Sequence, residues 1–164
     1  MLCSKEPRIE TLPEKKLIGK SLAMTITGDE TAELWRSFMP ERKKILNAIG
    51  TDLYSLQVYD EAMEFKDFTP QTVFTKWALV EVTDFSAIPD GMQPFTLAGG
   101  LYAVFQYRGR SQDFAPDFHY IFSEWLPQTA YEVDQRPHFE VLGEKYKNSD
   151  PDSEEEIWVP VREK

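Results

Sequence analysis

The sequence predicts an α+β domain of the mixed α/β class, built from two copies of a strand-helix-strand-strand unit. Three observations predict it. Two G-x8-G strand candidates, Gly19 to Gly28 and Gly100 to Gly109, start 81 residues apart. Two tryptophan-led strands, from Trp77 and from Trp158, are separated by the same 81 residues, about half of the 164-residue chain. Each half also carries an aromatic helical stretch closed by proline, at Pro40 and at Pro127. Internal repetition of this kind sets the architecture before any single residue is weighed. The chain therefore reads as one domain over 1–164, with halves at about 8–87 and 95–163 and a turn-rich junction at 88–94.

The elements follow in order. The first residues are expected to be disordered and to carry Cys3, the single cysteine, so no internal disulfide can form. Leu17 to Thr27 alternates apolar and polar residues, as a strand does. Asp29 or Thr31 can cap the first helix. Trp35, Phe38, Ile45, Leu46 and Ile49 keep helical spacing, Pro40 breaks it into two pieces, and Gly50 is read as the C-terminal cap. A strand over 52–60 follows, then a charged connection over 61–75, then the first tryptophan strand. In the second half Pro116 opens a helix with Phe118, Ile121, Phe122 and Trp125, and Pro127 ends it. Residues 128–137 are read as a loop, 138–146 as a strand, and the acidic run 148–156 as a solvated hairpin loop.

Composition bounds function. The net charge of −10 opposes a phosphate backbone, so direct nucleic-acid binding is not expected, and cations are attracted. No run is long and apolar enough to span a membrane, and no signal-peptide core is present, so a cytoplasmic location without membrane association is expected. No His/Cys spacing suits a metal, and no phosphate loop or nucleophile elbow occurs; neither metal nor cofactor is expected. Aromatic residues reach 13%, enough to line a pocket for a flat ligand as well as a core.

Glu140 is the most informative candidate. Strand alternation places it with His138 and Leu142, opposite Phe139 and Val141. Laying the 138–146 strand over 52–60 pairs Glu140 with Tyr54, and both are expected to face a central seam. A carboxylate among aromatic rings needs a cationic partner, and stacking on rings adds cation–π attraction of roughly 0.5–2 kcal/mol. Trp77 and Trp158, paired by the repeat, are expected beside the same seam, with Trp125 at its mouth.

The string Glu124-Trp125-Leu126-Pro127, Tyr131-Glu132, Pro137-His138-Phe139-Glu140 and Glu156 to Val161, with Gly100, Tyr102, Ala103 and Phe105 before it, resembles the GyrI-like small-molecule-binding domain. This is the effector-binding domain of AraC- and MerR-type activators, and the resemblance spans roughly 8–163. It implies a curved antiparallel sheet with two main helices flanking a central cleft. It also implies a lipophilic, cationic aromatic ligand, with Glu140 as counter-ion and aromatic positions such as Phe105 and Trp158 at the cleft. The chain reads as a stand-alone member, without a DNA-binding domain before Leu17. Its leading reading is therefore a non-catalytic, multidrug-type binder related to transcription regulators. Two alternatives come with the resemblance: hydrolysis of reactive electrophiles, with Glu140 as base and Tyr54 as proton donor or orienter, or a protein contact with gyrase or a DNA-binding regulator through an acidic surface that includes 152–156.

Overall fold

The computed structural model describes residues 1–60, 62–64 and 67–164. Nine strands carry the fold: β1 (Arg8–Leu12), β2 (Lys15–Met24), β3 (Leu53–Val58), β4 (Phe74–Val82), β5 (Gln93–Leu97), β6 (Gly100–Arg108), β7 (Tyr131–Val133), β8 (His138–Leu142) and β9 (Glu154–Glu163). Every strand pair is antiparallel, in a curved open sheet ordered β1-β6-β9-β8-β3-β4-β2-β5, with β7 added to β9. The order reads alike from either end: β3 and β8 meet at the centre, β4 and β9 flank them, then β2 and β6, then β5 and β1. The outermost strands are exchanged. β1, from the N-terminus, pairs with β6, and β5, just after the junction, pairs with β2.

Alternation gives the sheet two distinct faces. On one face Ile18, Ala78, Val80 and Val82 receive α1 (Thr31–Phe38) through Leu34 and Phe38, an i, i+4 pair that is almost wholly buried. Burying Phe38 completely contributes roughly 1.5–3 kcal/mol. On the same face Ala103, Phe105, Ile157 and Val159 receive a second helix through Ile121 and Trp125. This helix begins as α2 (Ala115–His119), widens to a π-helical turn over Tyr120–Trp125 and tightens to a 3-10 turn over Leu126–Gln128. Among the described residues no helix packs on the far face. Its curvature is filled by Tyr54, Leu56, Leu79, Tyr102, Phe139 and Trp158, where the rings of Phe139 and Trp158 stack at 5.2 Å.

Several expectations change. Pro40 does divide the first helix, but the second piece is a 3-10 turn over Met39–Lys44; Leu46 and Ile49 are exposed, and Gly50 (φ 68°) serves a turn beyond the helix. The N-terminus is ordered, because Leu2 bridges to Tyr107 and the Cys3 amide donates to the Gln106 carbonyl, while Cys3 itself is exposed. The loop expected over 128–137 contains β7. Pro127 sits inside the final 3-10 turn, which ends one residue later. Glu154, Glu155 and Glu156 belong to β9 and not to a solvated loop, since cross-strand pairing with β6 and β8 captures them. Trp77 lies within β4, which begins three residues earlier. The connection expected over 61–75 includes Glu61, Phe65 and Lys66, which lie outside the described residues.

Gly19 shows how tightly the sheet is built. A Cβ placed there would stand 1.8 Å from the Ala78 carbonyl oxygen, which is backbone and cannot rotate away. Gly19→Ala is expected to cost about 1–3 kcal/mol or more, as overpacking does. A lowered urea midpoint checks it, and an unchanged midpoint would contradict this packing.

Candidate functional site

The two helices stand on the same face of the sheet, one over each half, and a cleft of about 280 Å³ opens between them. Its floor is the central strand pair. The β3–β8 register sets Gln57 opposite His138 and Ser55 opposite Glu140, so all four share the helix face. β4 adds Lys76 beside Gln57, and β9 adds Ile157 beside Glu140.

Aromatic rings form an arc over this floor. Phe74 and Phe68 lie 5.7 and 5.6 Å from Tyr59, and Tyr59 meets His138 edge-on at 5.2 Å. His138 lies 6.0 Å from Phe122, which packs 4.6 Å from Phe118, which in turn adjoins Phe114. Phe114, Phe118 and Phe122 are four residues apart, so one side of the second helix presents all three to the cleft. The π-helical turn begins between Phe118 and Phe122, and such turns are frequent at functional sites.

The polar groups of the floor are few and connected, and Asp29 and Thr31 also line the cleft. The Gln57 Nε2 donates to both Glu140 oxygens at 3.2 Å. The Lys76 ammonium stands 3.9 Å from Glu140 Oε2, with its side chain 9% exposed. Opposite charges at this separation attract by roughly 4 kcal/mol at an effective dielectric near 20, and the desolvation of Lys76 offsets much of that. Glu155 occupies the same face two residues before Ile157. Burial pushes its carboxyl up to about 8, Glu140 adds to the rise, and Lys76 opposes it. His138 is neutral at pH 7, because burial, aided by Arg136, pushes its imidazole down to about 3.

A second hollow of about 440 Å³ lies on the other side of Tyr59 and His138. Its charged wall is mostly paired: Arg136 holds Asp134 at 2.7 Å and the carbonyls of Leu101 and Val161 at 2.6 and 3.1 Å, while its Nη1 is buried with no hydrogen-bond partner among the described residues. Among the described residues it lacks the facing aromatic rings of the first cleft, so the first has the better chemistry for a flat ligand. Among the described residues no cluster of metal-ligating side chains occurs.

Of the residues singled out from sequence, Glu140 reaches the cleft with its side chain. Trp158 borders the cleft, but alternation carries its ring to the far face, where its indole N–H donates to Glu156 at 3.1 Å. Tyr54 pairs with Val141, one residue out of step with Glu140, and lies buried on the far face. Trp77 is on that face too, against Phe95 at 5.1 Å. Trp125 and Phe105 pack edge-to-face at 5.3 Å inside the helix–sheet core. The Glu140–Tyr54 pair drawn from the repeat is therefore not brought together. Sequence reasoning missed Gln57, Tyr59, Lys76, Phe118 and Phe122 as cleft residues. The Phe-x3-Phe-x3-Phe spacing could have found the last two, and a lysine in step with Ala78, Val80 and Val82 could have found Lys76.

Glu155 generates a pH test. Its folded value lies above its ordinary 4.5, so its contribution to stability is complete below that value and is lost as pH rises toward 8. His138 has the opposite sign, with a contribution present above 6.5 and lost as pH falls toward 3. Glu155→Gln is expected to gain on the wild type between pH 5 and pH 8. After allowance for partial exposure the gain is about 1 kcal/mol, which corresponds to a Tm gap widening by ~3 °C. Thermal melts at the two pH values check this, and a constant gap would contradict it.

Comparison with known proteins places this arrangement. The family described as Cass2, integron-associated effector binding protein, matches residues 8–161. A DNA gyrase inhibitor of Edwardsiella piscicida is 34% identical over 105 residues, which is 59% of this chain and 64% of that protein, so the match spans less than two thirds of the relative. The structure of SAV2435 bound to tetraphenylphosphonium superposes with a TM-score of 0.71 at 19% identity, over 96% of this chain and 94% of that one. EcmrR in its complex with DNA superposes with a TM-score of 0.69 at 13% identity, over 97% of this chain and 58% of that one. These two likenesses show a shared fold.

Proposed function

This chain belongs to the Cass2 family of integron-associated effector-binding proteins and is a small-molecule effector-binding domain; we propose that its ligands are aromatic, amphipathic cations, with Glu140 as the counter-ion. The observation that carries this reading is the position of Glu140 at the base of a cleft walled by Phe118 and Phe122 on one side and Tyr59, Phe68 and Phe74 on the other. Rings on both sides bury a flat hydrophobic body, and the carboxylate selects its charge. Few polar groups fix a ligand's shape, so the cleft suits a class of compounds more than one molecule, as multidrug binding requires. The net charge of −10 adds a long-range attraction for cations. A neighbour of the same fold carries tetraphenylphosphonium, an aromatic cation of this class.

Tetraphenylphosphonium and a flat cationic dye are expected to bind saturably, and a neutral dye of matched shape is not. Glu140→Gln removes the carboxylate paired with Lys76 in the cleft, so cation affinity is expected to fall by ~2–5 kcal/mol. Tyr54→Phe, on the far face, leaves it within about twofold, well inside 1 kcal/mol. Fluorescence titration measures both, and an unchanged affinity in Glu140→Gln would sink the reading.

A contact with gyrase is a second reading, favoured by the likeness to the gyrase inhibitor. In this chain the acidic segment is partly engaged already: Glu156 holds Arg8 at 2.9 Å and accepts from Gln106 and Trp158. Asp152 and Glu154 are also paired, with Arg108 at 3.0 Å and Lys145 at 3.9 Å, but Asp152 and both cations are exposed. The double variant Asp152→Asn, Glu154→Gln is expected to weaken any inhibition of gyrase supercoiling. Inhibition that is absent in the wild type, or indifferent to the variant, would count against this surface.

A further inference from the structure

We propose that Lys76 sets ligand choice in the cleft: it disfavours simple aromatic cations and favours aromatic ligands whose polar end sets a protonated nitrogen beside an acceptor oxygen. The inference rests on the Glu140 reading above and refines it.

The strand pattern makes Lys76 unusual. It shares a face of β4 with Ala78, Val80 and Val82, yet it lies at the cleft floor and is only 7% exposed. Its ammonium carries three donors. Among the described residues its ion pair is with Glu140 at 3.9 Å, beyond hydrogen-bond reach, and it makes no hydrogen bond. Glu140 meanwhile is held by the Gln57 amide at both oxygens. That amide orientation is forced, because its carbonyl oxygen cannot face the carboxylate. The Gln57 Oε1 is thus left buried without a partner. The floor therefore presents spare donors and a spare acceptor within one connected group, and leaving such groups unpaired is unfavourable.

A permanent monocation satisfies only half of this arrangement. To reach Glu140 it must come up against an ammonium 3.9 Å from its counter-ion, or push that ammonium aside. A ligand with adjacent donor and acceptor meets both charges: its protonated nitrogen serves Glu140 and its oxygen accepts from Lys76. The aromatic arc holds the ring body in either case, so discrimination falls on the polar end alone.

The test uses 9-anthrylalanine, a fluorescent zwitterion whose ammonium stands beside its carboxylate, and its methyl ester, a monocation of nearly the same shape, at a pH low enough to keep the ester's amine protonated. Binding of each to the full chain is measured by fluorescence anisotropy. The wild type is expected to bind the acid about tenfold more tightly than the ester. Lys76→Met is expected to reverse the order, with the ester gaining and the acid losing about tenfold each. Lys76→Arg keeps the charge and should keep the preference, and thermal melts of each variant confirm folding. A wild-type preference for the ester overturns the proposal without any variant. If both dyes require Glu140 but their ratio is the same in Lys76→Met, the role of Lys76 falls while the Glu140 reading stands. If neither dye binds the wild type, both fall.

Discussion

The register of β3 against β8 governs the rest of this molecule. The pair lies at the centre of the sheet, and it sets Ser55 against Glu140 and Leu56 against Phe139. Side chains alternate with a period of two, so a slip of one residue would exchange the faces. Phe139 would then leave its stack on Trp158, and Glu140 would enter the far-face core with no partner. The buried aromatic cluster thus enforces the same register that delivers the carboxylate to the cleft. Packing on one face and chemistry on the other are a single constraint.

That coupling explains why the far face is so heavily aromatic. Tyr102 lies 5.2 Å from Phe139 and 5.7 Å from Trp158, and its hydroxyl donates to the Pro137 carbonyl immediately before β8. Arg136 covers the Tyr102 ring at 4.7 Å while its guanidinium bonds the carbonyls of Leu101 and Val161. These contacts tie the start of β8 to β6 and β9 and leave its helix face clear. The exchanged edge strands serve the same end. Leu12 of β1 and Leu97 of β5 join one cluster with Leu17 and Tyr102, so each half contributes to closing the other's side of the curve.

The helix face is electrostatically balanced more than it is acidic. Lys76 offsets Glu140, His138 is neutral, and the Glu155 carboxyl is pushed up to about 8. The chain as a whole carries a net charge of −10, whereas at the cleft floor Lys76 offsets Glu140 and Gln57 connects to it. On the proposed reading, long-range attraction and local selection would be carried by different residues, the second by a few side chains held at fixed spacing.

The sequence by itself determined the class of fold, the repeated order of strand, helix, strand and strand, the break at Pro40, and the strand face that Glu140 occupies, opposite Phe139. Each follows from local rules: periodicity and proline geometry. The resemblance to effector-binding domains added the cleft. The tertiary structure alone decided which residues share that cleft. Tyr54 was placed beside Glu140 by laying two strands over each other, yet antiparallel pairing sets it against Val141 and so onto the other face. Trp77 and Trp158 fill the far-face core for the same reason. Lys76, Tyr59 and the phenylalanines of the second helix come from segments far apart in the chain, and no local pattern says that they meet. The acidic run looked like a solvated loop because its composition is that of one, but pairing with β6 and β8 draws Glu154 to Glu156 into the sheet. Strand periodicity fixes which residues of one strand share a face; only the register between strands fixes which faces coincide.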